Sequence, residues 1–173
     1  MAKETKNLLT REDCKKELLR STKFNIRIFT IFLFFSLLLC VPLIIAVASL
    51  LKHLLVIAII IILFLCAMPC FFVVALTCAI IELMLINKGG FSIVKDTVYH
   101  LVHNEEVSRR GSKIYVDAIY FSKYGRYVAS STTFGLASVG DEFYLVILHA
   151  KGKTISLAYN SLMYDCKEVD NLL

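Results

Sequence analysis

Two histidines followed by two carboxylates have the spacing in this sequence that comes closest to a metal site. His100 and His103 are three residues apart, and Glu105 and Glu106 follow directly. Imidazole and carboxylate groups bind zinc, and residues at i and i+3 share a face of a helix but point to opposite faces of a strand. Because this segment has the composition of a strand, we interpret the two histidines as solvated side chains and predict no metal site.

Hydroxyl and thiol groups that could act as nucleophiles occur in the same half of the chain. Ser130, Ser131, Thr132 and Thr133 are consecutive, and Cys166 lies further along the chain. None of them lies in a nucleophile-elbow pattern, and the sequence has no Walker loop, dinucleotide-binding fingerprint or paired metal-binding motif. We therefore predict no catalytic residue, no cofactor, and a protein that is not an enzyme.

Tyrosine is concentrated after residue 91, where all eight tyrosines of the chain lie. Tyrosine side chains give a large contact area at a small entropic cost, so a group of them could form a surface that binds a protein or a ligand. Several of them could instead be core or edge residues of the fold. The candidate interaction surface consists of Tyr115, Tyr124, Tyr127, Tyr144, Tyr159 and Tyr164.

The segments that position these side chains have the pattern of β-strands separated by short turns that contain glycine. Apolar residues at the even positions from Ile114 to Tyr120 predict a strand with one face on a core. The run from Phe143 to Leu148 is apolar on both faces, which predicts a central strand or an edge buried by a partner. We predict strands at about 93–103, 112–121, 125–131, 142–149 and 153–159, with a last extended piece near 162–167.

Five strands in about 80 residues predict a small antiparallel β domain, either an OB-like or SH3-like barrel or a more open sheet. Within this half of the chain stand the motifs Val139-Gly140-Asp141-Glu142-Phe143-Tyr144-Leu145-Val146, Ala158-Tyr159-Asn160, Tyr164, Tyr120-Phe121 and Tyr124-Gly125. On these motifs it resembles a group of uncharacterised small two-span membrane proteins from Gram-positive bacteria, mainly over residues 110–166. In layout the chain is also similar to the NfeD-like proteins, which join membrane helices to a cytosolic OB-type barrel. The resemblance implies a membrane-anchored bacterial protein and no particular activity.

Two uncharged runs precede this domain, at residues 28–51 and 54–81. The chain is 58% hydrophobic with a mean hydropathy of +0.71, and each run exceeds the roughly 20 residues that cross a bilayer core of about 30 Å. Lys52 and His53 separate the runs. The sequence therefore predicts a transmembrane helical hairpin that reverses at these two residues.

Positive charge is distributed unevenly around the hairpin. Residues 1–27 contain eight Lys or Arg side chains, whereas Lys52 is the single one between the two spans. The positive-inside rule then places both termini in the cytosol of a two-span protein of the cell membrane. Because Cys14 and Cys166 lie outside the apolar runs, we expect them in water on the cytosolic side, where an impermeant maleimide does not label them in intact cells.

The segments that flank the hairpin carry helix-end signals. Thr10 followed by Asp13 predicts the start of a short basic helix within residues 1–27, which either attracts anionic lipid or only sets the topology. Asn87-Lys88-Gly89-Gly90 predicts the end of a helix and a domain boundary. We expect a basic N-terminal cytosolic segment (1–27), a two-helix transmembrane hairpin (28–86) and a soluble β domain (91–173).

Charge also limits the function. From Glu82 onward the chain has ten basic and ten acidic residues, so no nucleic-acid partner is predicted. The interiors of both spans lack charged residues, which argues against a transporter, pump or intramembrane enzyme. We predict a non-enzymatic interaction or regulatory module that contacts the lipid bilayer and a membrane or membrane-proximal protein, or that self-associates. The alternatives are a ligand-binding or metal-binding accessory domain of a membrane complex and a structural envelope protein.

Overall fold

The computed structural model describes residues 6–50, 55–109, 112–149 and 154–170. Within them the chain forms two long apolar helices followed by an antiparallel β sheet, an α+β fold. In chain order the elements are β1 (Asn7–Leu9), α1 (Arg11–Leu50), α2 (Leu55–Asn87), β2 (Phe91–Arg109), β3 (Ser112–Phe121), β4 (Gly125–Ala129), α3 (Ser131–Gly135), β5 (Glu142–Leu148), β6 (Ile155–Asn160) and β7 (Tyr164–Cys166).

The chain divides into two units. Met1–Leu18 and Leu85–Leu173 form one, here called the β unit, and Leu19–Met84 forms the other, the helical unit. Much of the helical unit is apolar surface that no other part of the described chain covers: Phe64, for example, is 81% exposed. Its aromatic contacts include a stacked pair of Phe32 and Phe72, with ring centroids 5.6 Å apart.

Both long helices are apolar and long enough, by length and composition, to cross a bilayer. The stretches that meet this criterion are Arg11–Ser49 and Ile59–Asn87. In the most apolar 18 residues of each stretch, 11% of the residues are buried inside the protein in the first and 0% in the second. The predicted turn at Lys52 and His53 lies outside the described residues.

Helix α1 begins where its cap was predicted. The N–H of Asp13 donates to Thr10 Oγ1 at 3.2 Å, and the N–H of Thr10 donates back to Asp13 Oδ2 at 3.3 Å. This reciprocal cap satisfies two backbone donors that have no partner inside the helix. A short helix was predicted here, but α1 continues to Leu50, because no glycine or proline interrupts residues 11–41.

Helix α2 ends at the predicted boundary in a Schellman motif. The N–H of Gly90 donates to Leu85 O at 2.8 Å and the N–H of Gly89 to Ile86 O at 3.0 Å. Gly89 has a φ of 77°, which residues with a Cβ adopt at a cost. Lys15 Nζ adds a hydrogen bond of 3.1 Å to Asn87 O, so the last carbonyls of α2 are satisfied.

Five strands form one antiparallel sheet in the order β4-β3-β2-β5-β6. The long strand β2 is central, because it pairs with β5 along Phe91–Thr97 and with β3 along Val98–Arg109. Strand β5 lies between β2 and β6 and is buried from Phe143 to Leu148. Its apolar residues on both faces therefore reflect an interior position in the sheet.

The sheet is open, so the predicted OB-like or SH3-like barrel is wrong and the open-sheet alternative is correct. In the described residues the edge strands β4 and β6 do not pair with each other. The segment between β4 and β5 forms α3, which contacts both edge strands. The last strand, β7, pairs in parallel with β1 in a separate two-stranded sheet, so it is not available to close a barrel.

One face of the sheet carries the main apolar core. Phe121 and Phe143 meet edge to face there, with ring centroids 5.6 Å apart. The prediction that even positions of β3 face the core is wrong, because Ile119 is fully buried and Ile114 is 45% exposed. The early residues of β3 pair with the far end of β2, beyond the core, and the β2–β3 pairing contains two register shifts. The core consists of Val94, Val98, Ile119, Phe121, Phe143, Leu145, Ile147 and Ile155.

Segments from the two ends of the chain are tied to strand β2. The guanidinium of Arg11 lies 5.0 Å from the ring centroid of Phe91, donates to Phe91 O at 2.8 Å and pairs with Asp170 at 3.1 Å. The N–H of Ile93 donates to the Asp170 carboxylate, and the N–H of Asp170 donates to Ile93 O. The start of α1 and the C-terminal segment are thereby held as parts of the β unit.

Cys14 and Cys166 are buried in this region, with 0% and 6% of their surfaces exposed. The prediction that both lie in water is wrong, because the chain ends fold back onto the sheet. Burial raises the pKa of the Cys14 thiol to about 12 and also raises the pKa of Cys166. Since the reactive form is the thiolate, the native cysteines make poor probes of topology.

Candidate functional site

A cleft of about 430 Å³ lies in the β unit between β4, α3, β6 and the start of α1. We call it the tyrosine cleft, after Tyr127, Tyr159 and Tyr164 in its lining. Phe143, which is fully buried, contributes to its apolar part. The other lining residues used below are Glu17, Ser130, Thr132, Thr133, Leu136, Leu157, Asn160 and Met163.

Alternation along the edge strand β4 directs Tyr127 into the cleft. Tyr127 is half-buried and packs against the main core, whereas its neighbours Arg126 and Val128 are exposed. Successive side chains of a strand point to opposite faces. The ring of Tyr127 therefore lies on the face of the sheet that carries the core, and it also lines the cleft.

Tyr159 and Tyr164 form an aromatic pair in the cleft. Their ring centroids are 5.2 Å apart and their planes are inclined by 67°, an edge-to-face arrangement that aromatic quadrupoles favour. Tyr159 also donates its phenolic proton to Glu17 Oε2 on α1. A carboxylate and two aromatic rings from distant parts of the chain are thus held together.

Two phenols of the cleft, those of Tyr127 and Tyr159, stay protonated. Burial, and then the negative charge of Glu17, raises the pKa of Tyr127 above its ordinary value. Burial, and then the hydrogen bond to Glu17, likewise raises the pKa of Tyr159. Both hydroxyls are therefore neutral donors over the physiological pH range, and the two side chains offer uncharged aromatic faces.

The consecutive hydroxyl residues cap a short helix. Ser130 Oγ accepts from the N–H of Thr133 at 3.2 Å and lies 2.9 Å from the Thr133 hydroxyl. Strand β4 was predicted to reach residue 131, but it ends at Ala129, because Ser130 is the N-cap at which α3 starts. Among the cleft-lining residues that the structure describes there is no histidine or lysine to act as a base.

Asn160 fixes the shape of the cleft from within. This buried side chain donates from Nδ2 to Leu136 O at 2.8 Å, and its Oδ1 accepts from the N–H of Leu162 at 2.8 Å. The amide joins the end of α3 to the turn after β6. Because both ends of the amide are used, Asn160 positions the cleft wall and is satisfied without a ligand.

The six candidate tyrosines lie at different places. Tyr127, Tyr159 and Tyr164 line the cleft, whereas Tyr124 packs against the core. Tyr144 is buried and Tyr115 is 60% exposed on the β2–β3 hairpin. The structure therefore brings three of the six together, with Glu17 as a fourth member. No local pattern pointed to Glu17, since it lies 142 residues from Tyr159.

The two histidines of the possible metal site have separate partners. His103 Nδ1 lies 2.8 Å from Asp117 Oδ1, and its ring centroid is 5.7 Å from that of Phe134. The His100 ring packs instead near Tyr120. The described residues contain no group of three or more histidine, cysteine or acidic side chains that could hold a metal ion.

Comparison with known proteins adds no functional assignment. No protein-family model, no curated protein and no solved structure matches the chain. The resemblance to small two-span membrane proteins stays a prediction. The function is therefore argued from the tyrosine cleft and from the apolar helices.

Proposed function

We propose that the protein is a membrane-anchored, non-enzymatic interaction module. Its two long helices span the membrane of a bacterial cell, and its β unit binds a membrane or membrane-proximal protein through the tyrosine cleft. The observation that carries the proposal is the convergence of three tyrosines and one carboxylate, contributed by four separate elements, on a cleft of about 430 Å³.

The apolar helices support the membrane anchor. Phe34, Phe64 and Phe71 are each at least 60% exposed, and their neighbours along both helices are also apolar. Monomeric soluble proteins rarely expose contiguous apolar patches of this kind, because their burial is strongly favourable. A lipid bilayer would bury these apolar side chains, which the described chain leaves exposed.

The composition of the cleft supports an interaction role. Tyrosine is enriched at protein interfaces, where it combines a large apolar contact with one hydrogen bond. The hydroxyls of Ser130 and Thr133 are used in the helix cap, and the Tyr159 hydroxyl is held by Glu17. Recognition accounts for this lining better than catalysis does.

A second candidate function is the binding of a small ligand within a membrane complex. The cleft volume of about 430 Å³ falls in the range of about 300–1,000 Å³ typical of small-molecule sites. The metal version of this alternative has no comparable support, because His100 and His103 have separate partners.

Photo-cross-linking in living cells tests the leading proposal. A photoreactive phenylalanine analogue replaces Leu136, which is 51% exposed at the cleft. The matched control carries it at Val128, which is 49% exposed on β4 and does not line the cleft. We expect one protein to be recovered from the Leu136 position, not from the Val128 position, and to be lost in Tyr164→Leu.

The outcomes of this experiment separate the alternatives. Recovery of a second copy of the chain alone would replace the partner by self-association. Equal recovery from both positions, or no recovery from Leu136, would contradict binding at the cleft.

A further inference from the structure

We propose that the group recognised by the tyrosine cleft is an organic cation, an alkylammonium or a guanidinium. The inference deepens the proposed function and rests on the cleft being its recognition site. It follows from three properties of the lining: one carboxylate, several neutral aromatic rings, and no cationic side chain among the described lining residues.

Glu17 supplies the charge. It is the one charged side chain among the cleft-lining residues that the structure describes. Oε2 accepts the hydrogen bond from Tyr159, whereas no donor within the described chain contacts Oε1. A carboxylate has about four acceptor positions, so Glu17 can hold a cationic donor and keep its bond to Tyr159.

The rings supply a second source of attraction. A cation within about 6 Å of a tyrosine ring centroid is attracted by the negative face of the ring. Tyr159 and Tyr164 are inclined by 67°, so they present two walls of different orientation. Because burial and the hydrogen bond to Glu17 raise the pKa of Tyr159, the wall formed by Tyr159 stays uncharged.

Other ligand classes fit less well. An anion entering the cleft would meet Glu17 with no lysine, arginine or histidine in the described lining to offset the repulsion. A wholly apolar ligand would cover the Glu17 carboxylate without pairing it, which is unfavourable. A cation on an apolar stem pairs the charge and packs its methylene groups against Leu157 and Met163.

The cation could come from a basic side chain of a partner protein or from a small free molecule such as choline. To distinguish them, the full chain in maltoside micelles is labelled with ¹³C in its methionine methyl groups. Met163 lines the cleft, and Met68 and Met84 lie in the helical unit as internal references. The probes are N-acetyl-arginine methylamide, its neutral analogue N-acetyl-citrulline methylamide, and choline.

We expect the arginine compound or choline to shift the Met163 signal in a saturable way, with Met68 and Met84 unchanged. Citrulline should bind at least about tenfold more weakly, since it lacks the charge. Glu17→Gln keeps an acceptor for Tyr159 and should weaken binding by about tenfold. Glu12→Gln, which removes the same charge from α1 outside the cleft lining, should have no effect.

A second pair of variants tests the rings. Tyr164→Phe keeps the aromatic face and should bind the cation nearly as well as the unmodified chain, whereas Tyr164→Leu should lose most of the binding. Binding of the arginine compound alone assigns the cation as a guanidinium, the group that a basic side chain of a partner protein presents. Binding of choline alone assigns it as a quaternary ammonium, which unmodified protein side chains do not carry, and therefore as a small molecule.

The inference is overturned by three results: no Met163 shift with either cation, equal binding of arginine and citrulline, or equal effects of Glu17→Gln and Glu12→Gln. These results would leave the proposed function in place if photo-cross-linking from Leu136 still recovers a partner. Failure of both experiments would remove the cleft as a recognition site.

Discussion

Asp96 is a buried carboxylate that organises the turn between β3 and β4. One of its oxygens accepts from the Ser122 hydroxyl at 2.6 Å and from the N–H of Thr97 at 2.8 Å. The other accepts from the N–H groups of Lys123 and Tyr124 at 2.9 and 3.1 Å. A single side chain thus satisfies backbone donors that the tight turn leaves without partners.

We expect Asp96→Ala to lower the free energy of unfolding by about 2–4 kcal/mol, because it leaves several part-buried donors without an acceptor. Chemical denaturation of the full chain in detergent, followed by circular dichroism of the sheet, measures the change. The control is Asp165→Ala, which removes an exposed carboxylate. Equal effects of the two variants would contradict the role given to Asp96.

The same residue predicts a pH dependence. Burial alone raises the pKa of Asp96, but the hydrogen bonds from Ser122, Lys123, Thr97 and Tyr124 outweigh burial and hold the pKa below its usual range. The unfolded chain, with a pKa of about 4, then binds the proton first as the pH falls.

The stabilisation by Asp96 is therefore complete above about pH 4 and is lost as the pH falls through the lower pKa of the folded state. Asp96→Asn cannot titrate, so its stability should fall less steeply over the acid range than that of the unmodified chain. Denaturation curves at a series of acid pH values measure the two slopes. Identical slopes would show that Asp96 is not held in its charged form.

Among the residues of the candidate site, the sequence identified the tyrosines but not their grouping. Tyr127, Tyr159 and Tyr164 meet because β4, β6 and β7 are brought together by long-range pairing, which strand periodicity does not specify. Glu17 was part of a helix interpreted as a basic topology segment. Its contact with Tyr159 depends on the first residues of α1 folding as part of the β unit, and that long-range contact has no signature in local composition.

The strands show which features local sequence determines. Ser112–Phe121 has the predicted bounds, and β5 and β6 begin or end within two residues of theirs, because apolar runs and glycine turns mark them directly. The parallel pairing of β1 with β7 was not predicted, since the two strands are three residues each and more than 150 residues apart. From the sequence alone, β7 was predicted only as a last extended piece after the five strands.

The end of α2 provides a prediction about a single element. Gly89→Ala should lower the free energy of unfolding by about 1 kcal/mol, because a Cβ is unfavourable at positive φ. The added methyl group meets no atom within 4 Å, so the cost is conformational. Gly135→Ala is the control, since its Cβ also meets nothing and its φ is not positive. Denaturation that ranks Gly135→Ala as the more damaging change would contradict the helix-end assignment.

Taken as a whole, the molecule joins two apolar helices to a β unit that carries the tyrosine cleft. We expect the helices to cross the membrane and the cleft to lie on the cytosolic side. The excess of Lys and Arg in residues 1–27 over the single Lys52 supports this orientation. The buried native cysteines cannot report it, so new cysteines are needed at accessible positions.

The most direct measurement is maleimide labelling of Thr132→Cys, an exposed position in the cleft lining, and of Lys52→Cys, between the two apolar runs. The unmodified chain gives the background from its native cysteines. In intact cells an impermeant maleimide should label Lys52→Cys, whereas Thr132→Cys should react only after the membrane is permeabilised. Labelling of Thr132→Cys in intact cells, or of neither position until permeabilisation, would contradict the claim.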